Sequence, residues 1–272
     1  MREETLLDPE GVLVIPENHC GTGVLTIGGS SGRVDTDRAR LLASHGALAM
    51  SIRWFGGRGQ PHGPRLVPLE TFTRALDRLA PDCDRLVISG LSFGAEAALL
   101  VAAYDERIDG CIGFAPSAYA WSYIDPDGSQ VSHWTRDGQP VPAVPFDLAW
   151  EPDSDPPAFA GMYRQSVQAT DPETLASATI PVERIGELLL VAGGDDQVWP
   201  SVDFADQIVT TRQSHGLTTD LVTLPAAGHR TMLPGETPVA AGQAMARGGT
   251  DESNRELGWL AWPLVRQLLR LP

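Results

Sequence analysis

The sequence contains no lysine. All 20 basic residues among its 272 are arginine. A pyridoxal-phosphate aldimine, a Schiff-base aldolase and a Walker-A phosphate loop each require a lysine amine, so the sequence excludes these three kinds of site. Genome base composition can produce the same bias, and the exclusion holds in either case.

Cysteine and long apolar runs are also scarce. Cys20, Cys83 and Cys111 lie far apart and include no C-x-x-C pair. We therefore expect reduced thiols in a cytoplasmic protein rather than a disulfide framework or a zinc site. No apolar run is long enough to span a bilayer, and the acidic first ten residues lack the apolar core of a signal peptide.

The charge balance limits the expected partners. The formal net charge is -15, and a surface this acidic repels both phosphate backbones and anionic lipids. Nucleic acid and membrane surfaces are therefore not expected partners. The length, the hydrophobic content of 42% and the lack of a long Ser/Gly/Pro linker predict a single domain over residues 1–272.

Short β-branched runs alternate with longer segments of helical period. This alternation is typical of βαβ units and predicts an α/β fold, with a mostly parallel central sheet and helices on both faces. Strands are expected at "GVLVIP", "GVLTIGG", "ALAMSIRW", "RLVISG", "IDGCIGFAP", "ELLLVAGG" and "DLVTLP". Helices are expected at "TDRARLLASHG", "PLETFTRALDRLA", "GAEAALLVAAY" and the C-terminal segment, the last interrupted or kinked at Pro263.

The alternation stops between residues 117 and 173. This stretch is rich in Trp, Tyr, Pro and Asp, and a loop-rich insertion of that length in a compact domain usually has a function. Its aromatic residues favour a lid over a pocket rather than a surface excursion without a role. Trp121 and Trp134, together with Trp199 further along the chain, are candidates for substrate contact.

Ser92 lies in "RLVISGLSFGAEAALL", where a predicted strand turns directly into a predicted helix. A G-x-S-x-G motif alone is a weak signal, but between a strand and a helix it is typical of a nucleophile elbow. Such an elbow holds the serine hydroxyl above the sheet and needs very small residues two positions before and after it. Gly90 and Gly94 meet that requirement.

A serine nucleophile needs a base, and the base needs an orienting acid. Downstream, "LLLVAGGDDQVWP" ends a strand in an acidic turn, and "DLVTLPAAGHRTM" carries His229 after the next strand. The order nucleophile, acid, histidine is that of α/β-hydrolases. Asp196 is favoured as the acid, with Asp195 left open. The other histidines precede the elbow or lie in loops and at a helix end: His19, His45, His62, His133 and His215.

Acyl transfer also needs N–H donors for the oxyanion. One is expected from Phe93, directly after the nucleophile, and the second from Ser30 or Gly29 in the early loop "TIGGSSG". A metal bound by Asp195, Asp196 and His229 is a weaker alternative, because the chain has no further cluster with ligand spacing. We expect no metal and no cofactor.

These segments give the sequence a family resemblance. It resembles the C-terminal catalytic domain of the acyl-CoA thioesterase and bile acid-CoA:amino acid N-acyltransferase family, which is itself similar to dienelactone hydrolases. The resemblance runs from about residue 20 to the C-terminus and rests on "GLSFGAEAAL", "GGDDQVWPS" and "AAGHR", with "VSHWTRDGQPVPAVPF" and "ARGGTDESNRELGW" as further family segments. It implies an α/β-hydrolase fold, thioester chemistry and a triad of Ser92, Asp196 and His229.

Two departures from the family pattern matter. Larger members carry an N-terminal β-sandwich domain, for which these 272 residues leave no room, so we expect substrate preference not to carry over. The aminoacyl-transferring branch uses cysteine where this chain has serine. A serine acyl-enzyme is less activated toward amines than a thioester, so water is the expected acceptor.

The leading hypothesis is a serine hydrolase that cleaves a small-molecule acyl thioester, either acyl-CoA or a carrier-bound acyl group. The alternatives are a carboxylesterase or lactonase, an acyltransferase with the same residues, and a binding protein on a hydrolase fold. Coenzyme A would need basic residues at the pocket rim, for which the candidates are Arg53, Arg58, Arg65 and Arg136. The acyl group and the oligomeric state stay open.

Overall fold

An eight-stranded sheet organises the chain, with two smaller sheets beside it. The computed structural model describes residues 1–238 and 244–272. The strands are β1 (Arg2–Leu7), β2 (Glu10–Ile15), β3 (Thr22–Ile27), β4 (Leu48–Ile52), β5 (Val67–Pro68), β6 (Arg85–Leu91), β7 (Gly110–Phe114), β8 (Ser122–Ile124), β9 (Gln130–Ser132), β10 (Trp134–Arg136), β11 (Gln139–Pro140), β12 (Glu187–Gly193) and β13 (Asp220–Leu224). The helices are α1 (Thr36–Ser44), α2 (Glu70–Leu79), α3 (Phe93–Tyr104), α4 (Ala160–Ala169), α5 (Pro172–Ala178), α6 (Ser201–Ser214) and α7 (Asp251–Leu268).

The large sheet is mostly parallel. Its strand order is β1-β2-β4-β3-β6-β7-β12-β13. β2 pairs antiparallel with β1 and with β4, and the remaining neighbours are parallel. Val24 of β3, for example, lies opposite Ala49 of β4 and Val87 of β6. The predicted α/β architecture with a mostly parallel sheet is therefore confirmed.

Helices cover both faces of this sheet, because successive strand residues point to opposite sides. On one side, Leu86 and Ile88 of β6 join a buried cluster with residues of α2, α3 and α6. On the other side, Val87 joins a second cluster with residues of α1 and α7. Strands β3, β4 and β7 are buried along their whole length, as parallel strands covered on both faces must be.

Helix α3 is buried on all sides and lies at the centre of the first cluster. Every residue from 94 to 103 is buried, and six of these ten are glycine or alanine. The small side chains let the helix axis approach the sheet closely. The helix that follows Ser92 is therefore held rigidly by the core.

The structure differs from the sequence predictions at three places. Strand β1 was not predicted; five of its six residues are exposed. The stretch 117–173 is not only loop, since it contains β8, β9, β10, β11 and α4. Helix α7 runs through Pro263 without a break, so the predicted interruption is wrong.

The insertion forms two small sheets. Strands β8 and β9 form a hairpin, and β10 pairs with β11 on one side and with β5 on the other. Trp121 and Trp134 point inward from this region and join the first core cluster. Among the described residues, no helix is both long enough and apolar enough to cross a membrane.

Candidate active site

Ser92 occupies the turn between β6 and α3. Its φ of 59° and ψ of -126° lie outside the regions that ordinary residues favour. The surrounding backbone fixes this strained turn: the Ser92 N–H donates to the Phe114 carbonyl at 2.9 Å, and the Ser92 carbonyl accepts from Ala95 N at 2.7 Å and Glu96 N at 3.0 Å. This is the geometry of a nucleophile elbow.

The two glycines of the motif are needed because backbone passes close to them. A Cβ at Gly90 would lie 2.0 Å from the Gly94 carbonyl oxygen. A Cβ at Gly94 would lie 2.5 Å from the carbonyl oxygens of both Ile27 and Gly28. Both distances are far below van der Waals contact, so any side chain at either position would displace the elbow or the end of β3.

His229 and Asp196 form a buried pair at the same edge of the sheet. The Nδ1 atom of His229 lies 2.8 Å from Oδ2 of Asp196, and their side chains are 7% and 1% exposed. The other carboxylate oxygen of Asp196 accepts from Val198 N at 2.9 Å and Trp199 N at 3.3 Å. A carboxylate held in this way keeps the proton on Nδ1 and leaves Nε2 as the acceptor.

Asp195 points elsewhere. Its Oδ2 accepts from Gly249 N at 2.7 Å and its Oδ1 from the Gln197 amide at 3.1 Å. The residue is exposed. The structure therefore places Asp196, and not Asp195, on the imidazole of His229.

The backbone of the loop that carries His229 is fixed by hydrogen bonds to three other segments of the chain. His229 N donates to the Arg247 carbonyl at 2.9 Å. Gly228 N donates to Oδ1 of Asn254 in α7 at 2.8 Å, and Asp195 N donates to the Ala227 carbonyl at 2.8 Å. The acidic turn, the histidine loop and α7 thus form one connected network around the imidazole.

Ser92 and His229 line one cavity of about 220 Å³ together with Gly29 and Ser30. A Cβ at Gly29 would lie 3.2 Å from the Ser92 Cβ, so the loop after β3 runs directly past the nucleophile. Phe93 is the first residue of α3, so its N–H has no acceptor within the helix. The predicted oxyanion residues therefore lie beside the serine.

The three tryptophans proposed as substrate contacts are fully buried, and none lines this cavity. Trp199 packs behind the site, with its ring 5.9 Å from that of His229 and 5.4 Å from that of Phe93. Trp121 and Trp134 contact Glu96 of α3 instead: Oε1 of Glu96 accepts from Trp121 N at 2.8 Å and from Trp134 Nε1 at 2.6 Å. Trp199 therefore supports the site from behind, and Trp121 and Trp134 support helix α3.

The arginines proposed for a coenzyme A rim lie away from the cavity, and none of the four lines it. Arg53 pairs with Glu10, Arg65 pairs with Asp125, and Arg136 lies over the Tyr104 ring. Arg58 is exposed and lines a separate cavity.

Sequence reasoning missed the arginines that do line the cavity, which are Arg33, Arg230 and Arg247. One signal was present in the sequence: Arg230 directly follows His229 in "AAGHR". Asp35 also lines the cavity. Within the described part of the chain, no group of three or more His, Cys, Asp and Glu residues could hold a metal ion.

A mostly parallel sheet with a strand–serine–helix turn at its carboxyl edge, and a histidine–aspartate pair on the following loops, defines the α/β-hydrolase class. A family model described as "BAAT / Acyl-CoA thioester hydrolase C terminal" matches residues 67–246. That is about two thirds of the sequence, and the chain belongs to this family.

Similar proteins agree with this assignment. The chain is 24% identical over 263 residues to the mouse (Mus musculus) acyl-coenzyme A amino acid N-acyltransferase 2, covering 91% of this chain and 59% of that protein. It is 25% identical over 220 residues to the mouse mitochondrial acyl-coenzyme A thioesterase 2, covering 79% and 46%. The chain thus spans about half the length of these curated relatives.

A solved structure supports the fold. The crystal structure of a dienelactone hydrolase homologue from Klebsiella pneumoniae superposes with a TM-score of 0.52 at 15% identity, covering 96% of this chain and 92% of that one. At this identity the likeness concerns the fold alone.

Proposed function

We propose that the chain is a serine hydrolase that cleaves an acyl thioester, with Ser92 as nucleophile, His229 as general base and acid, and Asp196 as the residue that orients the imidazole. The observation that carries the proposal is the 2.8 Å contact between His229 Nδ1 and Asp196 Oδ2 behind a cavity that Ser92 and His229 share. The thioester class comes from the family, whose description and relatives name acyl-CoA thioesters.

The reaction would proceed in two halves. Ser92 Oγ attacks the thioester carbonyl while His229 Nε2 takes its proton, and the tetrahedral oxyanion is stabilised by the Phe93 N–H and an N–H of the Gly29–Ser30 loop. The C–S bond then breaks, and the thiol leaves with the proton from His229. Water attacks the acyl-serine ester by the same route, which releases the carboxylic acid and returns the proton to Ser92.

The strained backbone of Ser92 supports this role. A φ of 59° in a non-glycine residue costs free energy, and such strain is found mainly where function requires the conformation. The N-terminus of α3 also points its partial positive charge at the site where the oxyanion would form. Both features favour acyl transfer at this serine.

Substitution of the triad tests the proposal. We expect Ser92→Ala to lower kcat by about 10⁴- to 10⁶-fold on acyl thioesters and to abolish labelling by a fluorophosphonate probe. Asp196→Asn should lower kcat by about 10⁴-fold, because Asn would favour the wrong imidazole tautomer.

Asp195→Asn is the matched control, since it makes the same change one residue earlier on a side chain that does not contact His229. It should stay within about threefold of wild type, because the hydrogen bonds of the Asp195 carboxylate go to Gly249 N and the Gln197 amide at the surface, and the substitution leaves the backbone bond to Ala227 in place. Near-normal turnover by Ser92→Ala, or equal losses in the two aspartate variants, would contradict the proposed roles.

An esterase or lactonase would use the same residues, and so would an acyltransferase. The relative named as an amino acid N-acyltransferase, which matches 91% of this chain, is the observation that favours transfer. Comparing kcat/KM on matched ester and thioester substrates distinguishes a thioesterase from an esterase or lactonase. Product analysis with and without added glycine separates hydrolysis from transfer, and we expect the free acid in both cases.

We place the enzyme in the cytoplasm. The three cysteines are all unpaired, as is usual in a reducing compartment.

A further inference from the structure

Three arginines converge on the cavity that contains Ser92. Arg33 follows the loop after β3, Arg230 follows His229, and Arg247 supplies the carbonyl that accepts from His229 N at 2.9 Å. Each residue is partly buried and comes from a different segment of the chain. Arg33, Arg230 and Arg247 also line an adjoining cavity of about 350 Å³. They therefore stand between the catalytic cavity and the larger one.

The size of the catalytic cavity keeps these arginines close to the nucleophile. A compact space of 220 Å³ is about 7–8 Å across, slightly below the usual volume range of ligand pockets. A guanidinium in its wall can therefore reach a group only a few bonds from a carbonyl bound at Ser92. The arginines are positioned to contact the substrate itself.

The charges in this cavity oppose those of the rest of the molecule. The chain carries a formal net charge of -15, whereas the lining of this cavity holds Arg33, Arg230 and Arg247 against a single acidic residue, Asp35, within the described part of the chain. Burial also raises the pKa of the Asp35 carboxyl. A concentrated positive field in a small cavity attracts anions.

The three guanidinium groups also repel one another. Burial, together with the charges of Arg247 and Arg33, lowers the pKa of Arg230 to about 10. Arg230 is still charged at neutral pH. Among residues 1–238 and 244–272, no carboxylate lies within ion-pair distance of Arg33, although the charge of Arg33 opposes the burial that raises the pKa of the Asp35 carboxyl. An anion bound between these side chains would relieve the repulsion.

We propose that Arg33, Arg230 and Arg247 form a subsite for an anionic oxygen group carried by the acyl thioester, so that the enzyme selects substrates with a carboxylate or phosphate near the reacting carbonyl. The proposal rests on the hydrolase function proposed above. Arginine suits this role because its planar guanidinium binds both groups through paired hydrogen bonds.

Two parts of a thioester could supply the anion. A carboxylate at the far end of a four- or five-carbon acyl group lies about 5–6 Å from the thioester carbonyl, whereas the first phosphate of coenzyme A lies about 16 Å from its sulfur when the pantetheine arm is extended. The dimensions of the cavity favour the acyl carboxylate. The phosphate would have to be reached through the larger cavity.

Four substrates distinguish these sources. Glutaryl and pentanoyl groups differ only in whether the fifth carbon is a carboxylate or a methyl group. Each is made as the thioester of coenzyme A and as the thioester of N-acetylcysteamine, a thiol without charge. For each protein, kcat/KM is measured on all four substrates.

Four variants are compared with wild type. Arg33→Gln and Arg230→Gln remove one guanidinium each, and Arg33→Lys keeps the charge without the paired donors. Arg74→Gln is the matched control, because Arg74 is an exposed arginine of α2 outside both cavities.

We expect Arg33→Gln and Arg230→Gln each to lower kcat/KM about 10- to 100-fold on the anion-bearing substrates relative to pentanoyl-N-acetylcysteamine. Arg33→Lys should fall between wild type and Arg33→Gln. A loss on glutaryl substrates with either thiol assigns the subsite to the acyl carboxylate. A loss on both coenzyme A thioesters assigns it to a phosphate. The subsite would be overturned if both glutamine variants kept the wild-type ratio of kcat/KM between the anion-bearing substrates and pentanoyl-N-acetylcysteamine. It would also be overturned if Arg74→Gln lowered this ratio as much as they do.

Direct binding provides a readout that needs no turnover. Glutarate and inorganic pyrophosphate are titrated calorimetrically into wild type and Arg33→Gln, with folding checked by circular dichroism. Tenfold weaker binding of either probe to Arg33→Gln supports the subsite. If wild type shows this binding but cleaves no thioester and is not labelled at Ser92, only the hydrolase proposal has failed. Equal binding to both proteins, or none to either, overturns the subsite even in an active hydrolase.

Discussion

At the scale of single residues, Asp35 is a carboxyl group in an unfavourable place. It lines both cavities beside Ser92, and burial raises its pKa despite the opposing charge of Arg38. Arg38 is occupied by a closer partner: its guanidinium donates two hydrogen bonds to Glu236, at 2.6 and 2.8 Å. Burial therefore outweighs the attraction of Arg38 and of Arg33, which lies two residues before Asp35.

The raised pKa has a defined effect on stability. Because the folded-state pKa exceeds the unfolded value of 3.8, the folded state binds the proton more tightly, and ionisation destabilises it as the pH rises through the folded-state pKa. Asn at this position cannot ionise. We expect Asp35→Asn to melt at a higher temperature than wild type at pH 7, with the difference disappearing below about pH 3.8.

Thermal melts of both proteins between pH 3.5 and 8, which is about the range where carboxyl groups with raised pKa titrate, measure this effect. Asp37→Asn is the control. Because Asp37 is exposed and lies two residues away, the melting temperature of this variant should differ little from that of wild type, and the difference should be nearly constant with pH. A lower melting temperature of Asp35→Asn at pH 7 would show instead that the arginines stabilise the ionised carboxylate.

Single residues also mark where sequence reasoning stops. The serine and the histidine could be named in advance because each stands alone after its own strand. Asp195 and Asp196 could not be separated, because neighbouring residues in a turn differ only in the direction of their side chains. The cavity brings together Arg33, Arg230 and Arg247 from segments up to about 200 residues apart. No local sequence pattern predicts that residues so far apart lie side by side.

At the scale of elements, helix α3 is joined to the insertion through Glu96. This side chain is completely buried, and its Oε1 accepts from Trp121 N and Trp134 Nε1, both within the insertion. His133 lies next to these contacts, with its ring 4.4 Å from that of Phe93. The carboxyl group therefore connects the insertion to the helix that begins at the elbow.

Loss of this connection should destabilise the fold and disturb the site. Glu96→Ala leaves two buried N–H donors without an acceptor, which costs about 1–3 kcal/mol each. We expect the free energy of unfolding to fall by about 2–5 kcal/mol in denaturant titrations, and kcat to fall as Phe93 loses its support. Glu96→Gln keeps an acceptor oxygen and should lose less.

Glu106→Ala provides the comparison for Glu96→Ala, because it removes an exposed glutamate just beyond the same helix. Its free energy of unfolding should stay within about 0.5 kcal/mol of wild type. If Glu96→Ala were as stable as Glu106→Ala, the hydrogen bonds to the insertion would contribute nothing to folding.

Predictability differed between elements for a physical reason. The parallel strands and their covering helices were predictable, because each has an apolar run or period of its own. Strand β1 is an exposed, charged edge held by pairing with β2, and β8 to β11 have only two or three residues each. Helix α7 tolerates Pro263 because that residue is exposed, so the carbonyl that loses its donor faces solvent.

At the scale of the whole molecule, one sheet separates two apolar clusters that share the same strands. Trp54, Trp121, Trp134 and Trp199 all belong to the cluster that includes α2, α3 and α6. Leu42 of α1 belongs to the cluster on the opposite face and is only 2% exposed. Because neighbouring residues of each strand enter both clusters, we infer that neither cluster, nor the insertion over one of them, unfolds alone.

A single leucine tests this cooperativity. Leu42→Ala should lower the free energy of unfolding by about 2–5 kcal/mol. If residues 1–272 unfold as one domain, tryptophan fluorescence, which reports mainly on the opposite face, must shift to the same denaturant midpoint as the far-ultraviolet circular dichroism. Leu148→Ala, at an exposed leucine of the insertion, should change neither the fluorescence midpoint nor the circular-dichroism midpoint. A fluorescence midpoint that Leu42→Ala leaves unchanged would mean that the aromatic side of the molecule, insertion included, folds independently of α1 and α7.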